Sequence, residues 1–193
     1  MTLHYCNILE VGEEVQERVR VWRNSPRIRQ FMLSQNEISV EEHRAWLSRL
    51  SKKDRSQIVR VAFCDGVPIG IITLKDIDRI SERSDWGIYI GEAGYEGRGF
   101  GGEMLDDLLS WGFEEEGLCR LFTSVTTDNM PAIGMYLRAG FHFEGRFEKH
   151  IVRGNGEKVD LLWVALFRPD WRMMRSRSGK CTTPPGSWKW RRP

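Results

Sequence analysis

The sequence lacks a long hydrophobic run and any segment that resembles a leader. Its longest apolar stretch, residues 161–167, is far too short to span a bilayer. Residues 1–7 have neither the basic segment nor the apolar stretch of a signal peptide. We therefore expect a cytoplasmic protein without membrane association. With 40% hydrophobic and 29% charged residues, the 193-residue chain has the composition of one soluble domain with a real core.

Paired cysteines and clustered histidines are also absent. No C-x-x-C motif occurs among the four cysteines, which are Cys6, Cys64, Cys119 and Cys181. We expect free thiols, mostly buried, in a reducing compartment. The histidines are scattered along the chain at His4, His43, His142 and His150. No metal site is predicted, because such a site needs clustered ligands.

Charge is distributed unevenly along the chain. Residues 168–193 contain eight Lys or Arg and one Asp, a net charge of +7, which leaves −5 for residues 1–167 out of a total of +2. We predict one domain at residues 1–167 and an irregular, flexible basic extension at residues 168–193. Trp188 and Trp190 in this extension could stack on bases, so nucleic-acid binding is a weaker, non-enzymatic alternative function.

Hydrophobic periodicity predicts an α/β fold with one mixed sheet. The predicted order is strand, helix, helix, three strands, helix, strand, helix and two strands. We predict strands at residues 3–9, 57–64, 68–75, 85–90, 121–125, 143–151 and 159–167. Helices are predicted at residues 13–23, after a capping box formed by Ser39 and Glu42, from the glycine turn to about Glu116, and at residues 130–138. A short turn or helix is expected at residues 27–32.

The glycine-rich segment EGRGFGG, residues 96–102, lies between a predicted strand and the first turn of a helix. Backbone N–H groups in such a turn have no intrahelical acceptor, and glycines allow a ligand to come close. The pattern therefore favours an anion, most naturally a pyrophosphate. A tight connection that binds nothing is the alternative. The segment has no Gly-Lys-Ser/Thr of a P-loop and fits a dinucleotide-binding fingerprint poorly.

A second motif lies downstream of the glycine turn. The pattern Glu96-x-x-Gly99-x-Gly101 is followed by Asn129, by Ala132-Ile133 and by the segment YLRAGF at residues 136–141. Together these motifs resemble the GNAT superfamily of N-acetyltransferases over roughly residues 3–167. The resemblance implies a GNAT fold, with a mostly antiparallel sheet flanked by helices and splayed between strands 4 and 5. It also implies an enzyme that uses acetyl-CoA as cosubstrate.

The resemblance assigns roles to individual residues. The backbone amides of the glycine turn would bind the pyrophosphate, and the pantetheine arm would pair with the backbone of the fourth strand. Tyr136 would act as general acid on the leaving thiolate, which suits a phenol. The cofactor-binding residues implied in this way are Ile88, Tyr89, Ile90, Gly97, Arg98, Gly99, Phe100, Gly101, Gly102, Asn129 and Tyr136. Glu96 departs from the usual Gln or Arg, and we expect its carboxylate to point away or to pair with Arg98.

The first third of the chain bears on the acceptor amine. Residues 22–24 (WRN), 28–32 (IRQFM) and 38–46 (ISVEEHRAW) resemble the branch that acetylates nucleotide-linked amino sugars, as in pseudaminic acid biosynthesis for flagellin glycosylation. The acceptor implied is a UDP-linked 4-amino-4,6-dideoxy sugar whose amine attacks acetyl-CoA directly. The predicted substrate-binding residues are Arg23, Asn24, Met32, His43, Thr73 and Lys75. Trp22 and Trp46 lie at core-facing helical spacing, which favours packing over ligand contact.

Several alternatives stay open at the level of sequence. Other members of the superfamily acetylate protein N-termini, as in ribosomal proteins, or aminoglycosides, and they would share the cofactor half. The general base is not decided among the acids Asp76, Asp85, Asp128, Glu148 and Asp160. A homodimer is compatible with exposed strands at the edge of such a sheet.

Overall fold

The computed structural model describes residues 2–51 and 56–177 of the chain. Its seven strands are β1 (Leu3–Asn7), β2 (Ile58–Cys64), β3 (Val67–Asp78), β4 (Arg83–Ile90), β5 (Arg120–Thr126), β6 (His142–Val152) and β7 (Lys158–Phe167). Its α-helices within these residues are α1 (Glu13–Asn24), α2 (Pro26–Arg29), α3 (Val40–Leu50), α4 (Phe100–Ser110), α5 (Met130–Arg138) and α6 (Arg168–Arg177). A 3₁₀ turn at Ala93–Tyr95 precedes α4, and a π-helical turn at Trp111–Glu115 extends it.

All seven strands form one sheet in the order β1-β2-β3-β4-β5-β7-β6. Every neighbouring pair is antiparallel except β4 and β5, which run parallel. The turn between β2 and β3 has positive φ angles of 49° at Asp65 and 82° at Gly66. Two positive φ angles are typical of the type I′ turns that join antiparallel strands. The predicted mixed, mostly antiparallel sheet is confirmed.

The parallel pair β4 and β5 separates after three residues. The pairing runs from Arg83 opposite Arg120 to Asp85 opposite Phe122 and then stops. At the point of separation the buried Thr123 hydroxyl donates a hydrogen bond of 3.0 Å to the Trp86 carbonyl. The splay predicted between strands 4 and 5 is therefore confirmed, and it opens a wedge between the two strands toward their carboxyl ends.

Helices cover the two faces of the sheet and bury two separate apolar clusters. The larger cluster joins α4 and α5 to one face and includes Trp86, Met104 and Leu108. The smaller cluster joins α1, α2 and α3 to the other face and includes Val19 and Trp22. The wedge between β4 and β5 lies where these two layers meet, so both sets of helices can contribute side chains to it.

The beginning of the predicted extension is helical and packed, which corrects the prediction of an irregular tail from residue 168. In α6, Trp171 is buried with its ring 5.3 Å from that of Phe113. The Arg175 guanidinium lies 4.8 Å from the Trp171 ring centroid. The basic composition of this segment hides an amphipathic helix that packs Trp171 and Met174 against the core and leaves Met173 exposed. Trp188, Trp190 and the rest of residues 178–193 lie outside the described residues, as does Cys181.

The connection between β4 and the glycine turn is packed tightly against α1. Gly91 follows β4, and a Cβ atom added there would lie 2.0 Å from Cδ2 of Trp22. The Trp22 ring has little room to move, because it is buried and its Nε1 donates a hydrogen bond of 2.9 Å to Glu92 Oε1. This close approach requires glycine at position 91.

We predict that Gly91→Ala destabilises the fold by about 1–3 kcal/mol, as other overpacking substitutions do. Gly94→Ala is the matched control, because its added Cβ would meet nothing within 4 Å and its φ is not positive. Denaturant unfolding of both variants measures the difference. Equal unfolding midpoints for the two variants would contradict the packing argument.

Candidate active site

A continuous cleft of about 1730 Å³ runs through the wedge between β4 and β5. Residues of α1 to α3 line one end of it, and the glycine turn and α5 line the other. Ordinary small-molecule pockets measure roughly 300–1,000 Å³, so this cleft is large enough for two sizeable molecules at once. We refer to the end bounded by α1, α2, α3 and β3 as the acceptor half, and to the end bounded by the glycine turn as the cofactor half.

The glycine turn has the backbone shape that an anion site needs. Gly97 and Gly99 have φ angles of 69° and 90°, and Gly99 is the N-cap of α4. The amides of Gly102 and Glu103 bond back to the Gly99 carbonyl at 3.0 and 3.2 Å. The amides that precede them have no intrahelical acceptor, and the N-terminal end of the helix dipole favours negative charge there. Gly97, Gly99, Gly101 and Gly102 all line the cleft.

Two predicted cofactor residues of the turn face away from the cleft lining. Phe100 is buried and its ring lies 5.5 Å from that of Tyr95. The Arg98 guanidinium lies over both rings and donates to the Gly94 carbonyl at 3.3 Å. Phe100 anchors the start of α4 in the core, and Arg98 packs along the outside of the turn.

The Glu96 carboxylate forms an ion pair with Arg27 of α2, a partner that the sequence analysis did not consider beside the two expectations of pointing away or pairing with Arg98. The Arg27 guanidinium also donates to the carbonyls of Ile90 and Gly91, at 3.2 and 2.5 Å. The acid at the edge of the glycine turn is therefore neutralised by a cation from the opposite layer of the protein.

The outer part of β4 provides a free strand edge along the cleft. Beyond Asp85 the strand has no pairing with β5, and Ile88, Tyr89 and Ile90 line the opening. Backbone N–H and C=O groups at such an edge can bond an extended ligand as an added strand would. This is the geometry expected for a pantetheine arm.

The other wall of the cofactor half is α5. Asn129 caps this helix, and its side-chain oxygen accepts from the Ala132 amide at 3.3 Å. Tyr136 is buried, and its ring packs edge-on against Trp86 with centroids 4.9 Å apart. Burial, assisted by the negative charge of Asp85, raises the pKa of the Tyr136 phenol above its ordinary value. The hydroxyl therefore keeps its proton at neutral pH and can donate it.

Trp86 is a site residue that the sequence analysis missed. It lines the cleft at the point where the strands part, and it supports Tyr136. The sequence could have indicated Trp86, because the alternation of side chains along β4 places residues 86, 88 and 90 on the same face of the sheet.

The acceptor half contains most of the predicted substrate residues. Arg23, Met32, His43, Thr73 and Lys75 all line the cleft. Asn24 is not among the lining residues, because its amide group is bonded in both directions to the backbone of Ile38, at 2.9 Å each. Asn24 thus fixes the segment that leads into α3.

His43 is buried, and Arg23 is partly buried with one of its guanidinium nitrogens fully enclosed. Arg23 Nη2 donates to the Ser34 carbonyl at 2.6 Å, whereas Nη1 is buried without a hydrogen-bond partner among the described residues. Burial lowers the pKa of the His43 imidazole, whose Nε2 lies 2.9 Å from the Gln16 carbonyl. His43 is therefore neutral near pH 7 and donates to Gln16, with its ring 5.2 Å from that of Trp46.

Among the five acids considered for the general base, Asp85 lines the cleft and the other four do not. Asp85 forms an ion pair of 3.0 Å with Lys75. Asp128 and Asp160 are paired with Arg153 and Arg146 outside the cleft. The structure therefore places one carboxylate between the acceptor half and Tyr136.

Within residues 2–51 and 56–177, no group of acidic, His and Cys side chains is arranged to hold a metal ion. The cysteines in this part of the chain, Cys6, Cys64 and Cys119, are free thiols, and Cys64 is buried. In the same part of the chain, no helix combines the length and the hydropathy needed to cross a membrane.

Comparison with known proteins agrees with this geometry. A family model described as an acetyltransferase (GNAT) domain matches residues 12–142, more than half of the chain. L-amino acid N-acetyltransferase AaaT of Escherichia coli is 32% identical over 124 residues, which cover 62% of this chain and 74% of that protein. Acetyltransferase PseH of Campylobacter jejuni is 29% identical over 135 residues, 70% of this chain and 82% of that protein.

Solved structures show the same architecture. The crystal structure of spermidine N-acetyltransferase from Vibrio cholerae in complex with CoA and spermine has a TM-score of 0.79 and 19% identity. The match covers 88% of this chain and 97% of that one. At this identity the likeness establishes the fold, and the family model establishes the membership. The chain therefore belongs to the GNAT family and is an acetyl-CoA-dependent N-acetyltransferase.

Proposed function

We propose that the protein transfers the acetyl group of acetyl-CoA to the 4-amino group of a UDP-linked 4-amino-4,6-dideoxy sugar. One observation carries the proposal: the buried Nη1 of Arg23, at the acceptor half, has no hydrogen-bond partner among the described residues. A buried guanidinium N–H without a partner is costly. A diphosphate oxygen in the cleft would satisfy it with a charge-assisted hydrogen bond once the Arg23 side chain turns Nη1 toward the opening.

The other charges of the acceptor half support an anionic acceptor over a polycation. Its carboxylates Glu37, Glu42 and Asp85 already bind Arg29, the N-terminal amide of Ser39, and Lys75, respectively. A polyamine would have to displace Arg29 and Lys75 to reach Glu37 and Asp85, whereas Glu42 is bonded only to a backbone amide and keeps its negative charge. A nucleotide diphosphate needs only the unmatched donor of Arg23.

Apolar side chains complete the acceptor half. Phe31, Met32 and Trp46 are only partly buried and line the cleft. These side chains offer a surface to a uracil face and to the methyl group of a 6-deoxy sugar. The cleft volume is also large enough to hold acetyl-CoA and a nucleotide sugar together.

In the proposed reaction, the glycine turn holds the pyrophosphate and the free edge of β4 holds the pantetheine arm. The neutral sugar amine attacks the thioester carbonyl, so that a C–N bond forms and the C–S bond breaks. Tyr136 donates its phenolic proton to the departing thiolate, and the proton that the acylated nitrogen loses passes, directly or through water, to the resulting phenolate, so that the products are the N-acetylated sugar and the CoA thiol. A phenol of raised pKa remains protonated until that negative charge develops, as general acid catalysis requires. We expect this chemistry to take place in the cytoplasm, where acetyl-CoA is available.

An acceptor panel tests the substrate class. We expect kcat/KM for a UDP-4-amino-4,6-dideoxy sugar to exceed that for spermidine, L-amino acids, peptides and aminoglycosides by about 100-fold or more, because unmatched buried donors discriminate strongly. The rate of acetyl transfer is measured by thiol release from acetyl-CoA, and the product is identified by the mass gain of one acetyl group on the sugar nucleotide. Faster acetylation of spermidine or an amino acid would overturn the sugar proposal and leave the acetyltransferase activity intact.

Arg23→Gln tests the diphosphate contact. We expect KM for the UDP-sugar to rise by about tenfold or more, the value of one charged hydrogen bond, with kcat changed little. The same variant should use the free 4-amino sugar, without its nucleotide, as well as the wild type does. Arg44→Gln is the control, because Arg44 is exposed on α3 and does not line the cleft. An unchanged KM in Arg23→Gln would remove the main support for the proposal.

Tyr136→Phe tests the general acid. We expect kcat to fall by about 100-fold, the lower range for loss of a general acid, whereas the affinity for acetyl-CoA stays close to that of the wild type. Tyr95→Phe removes a hydroxyl from the same half of the protein without touching the cleft lining and serves as control. Steady-state kinetics and equilibrium binding of acetyl-CoA separate the two effects. Wild-type turnover in Tyr136→Phe would assign the acid role elsewhere.

A further inference from the structure

Arg27 of α2 bonds three groups that lie outside the acceptor-side helices. Its guanidinium bonds the carbonyl of Ile90 at the end of β4, the carbonyl of Gly91 just after it, and the carboxylate of Glu96 at the start of the glycine turn. One planar group thus joins the acceptor-side helices to the segment that enters the anion-binding turn. Its five N–H donors in a fixed fork suit such multiple contacts better than a lysine would.

The negative charge of Glu96 makes its contact with Arg27 important for anion binding at the glycine turn. A carboxylate at the edge of a turn that binds an anion opposes that anion by like-charge repulsion. The side chain of Arg27 is 31% exposed and that of Glu96 is 46% exposed, so water alone screens the pair only in part. Without Arg27, the negative charge of Glu96 would stand uncompensated where the phosphates of acetyl-CoA approach.

The position of Arg27 is fixed by its neighbours in the chain. Pro26 begins α2, and Ile28 is 5% exposed and packed with the cluster of α1 to α3. These contacts hold the backbone of α2 against the body of the protein. The Arg27 guanidinium therefore reaches the glycine turn from a backbone segment that is anchored in the core.

We propose that Arg27 is a positioning residue for the cosubstrate, which neutralises Glu96 and so makes the glycine turn compatible with the phosphates of acetyl-CoA. This inference rests on the proposed binding of the pyrophosphate at that turn. The residue acts through Glu96 and not by contact with the reacting atoms. The pairing with Arg27 explains how this chain can have Glu96 at the start of the glycine turn. A neutral or basic residue at this position would need no neighbouring cation.

A double-mutant cycle measured by equilibrium binding of acetyl-CoA tests the proposal. We expect Arg27→Gln to weaken binding by about tenfold, because it leaves a carboxylate beside the anion site. Glu96→Gln should bind as well as the wild type or somewhat better. The double variant should return to within about threefold of the wild type, because no charge is then left to neutralise. An equal loss from Arg27→Gln in both backgrounds would overturn the proposal and indicate direct contact with the ligand.

A matched control separates this effect from a loss of structure. Arg18 forms a similar ion pair with Glu92 in the same connection, at 2.7 Å, and does not line the cleft. Arg18→Gln should therefore leave acetyl-CoA binding unchanged. Arg27→Lys, which keeps the charge and loses the fork, should recover most of the affinity. Failure of Arg27→Lys to recover it would show that the carbonyl contacts, and not the charge, matter.

A cosubstrate without phosphates distinguishes failure of this inference from failure of the site itself. Acetylpantetheine carries the reacting thioester but no phosphate, so Arg27→Gln should use it as well as the wild type does. An equal loss with acetylpantetheine would contradict the electrostatic role. Gly99→Ala, which strains a backbone at φ 90°, should weaken acetyl-CoA binding by itself. If it does not, the turn is not the phosphate site, whatever Arg27 does.

Discussion

The separation of β4 from β5 is the constraint on which the site depends. The two parallel strands stay paired over three residues only, and the bond from Thr123 to the Trp86 carbonyl marks the end of that pairing. Beyond it, one edge of β4 has no neighbouring strand. A sheet interior would have no room for a ligand, whereas this opening gives backbone groups and a cleft between two helical layers. The glycine turn, α5 and the acceptor helices all meet there because they follow or face these strands.

The side chains packed beside that opening determine the protonation state of Tyr136. Tyr136 is held by aromatic contacts to Trp86 and Phe141, and burial keeps its phenol protonated. A raised pKa keeps the phenol protonated and also makes it a weaker acid, so its proton moves only to a strongly basic group such as the departing thiolate. The packing that holds α5 on the sheet therefore places the proposed acid and fixes its protonation state.

Charge balance, more than shape, distinguishes the acceptor half. Carboxylates there have cationic or amide partners, whereas the guanidinium of Arg23 has a buried nitrogen without one. At the cofactor half, Glu96 is compensated by Arg27. A buried charged group without a partner can bind a ligand of opposite charge. A charged group that already has a partner within the protein gains less from such a ligand.

The sequence by itself determined the order of strands and helices from β1 to β7, the capping box of Ser39 and the glycine turn before α4, because periodicity, caps and glycines act over a few residues. The motifs at residues 96–101 and 129–141 also determined the family. Only the tertiary structure decided that Glu96 pairs with Arg27, 69 positions away, and that Asn24 holds Ile38. It also decided that Trp171 enters the core. Such partners come together only when distant elements pack against each other. Local sequence patterns do not show which distant residues will become neighbours.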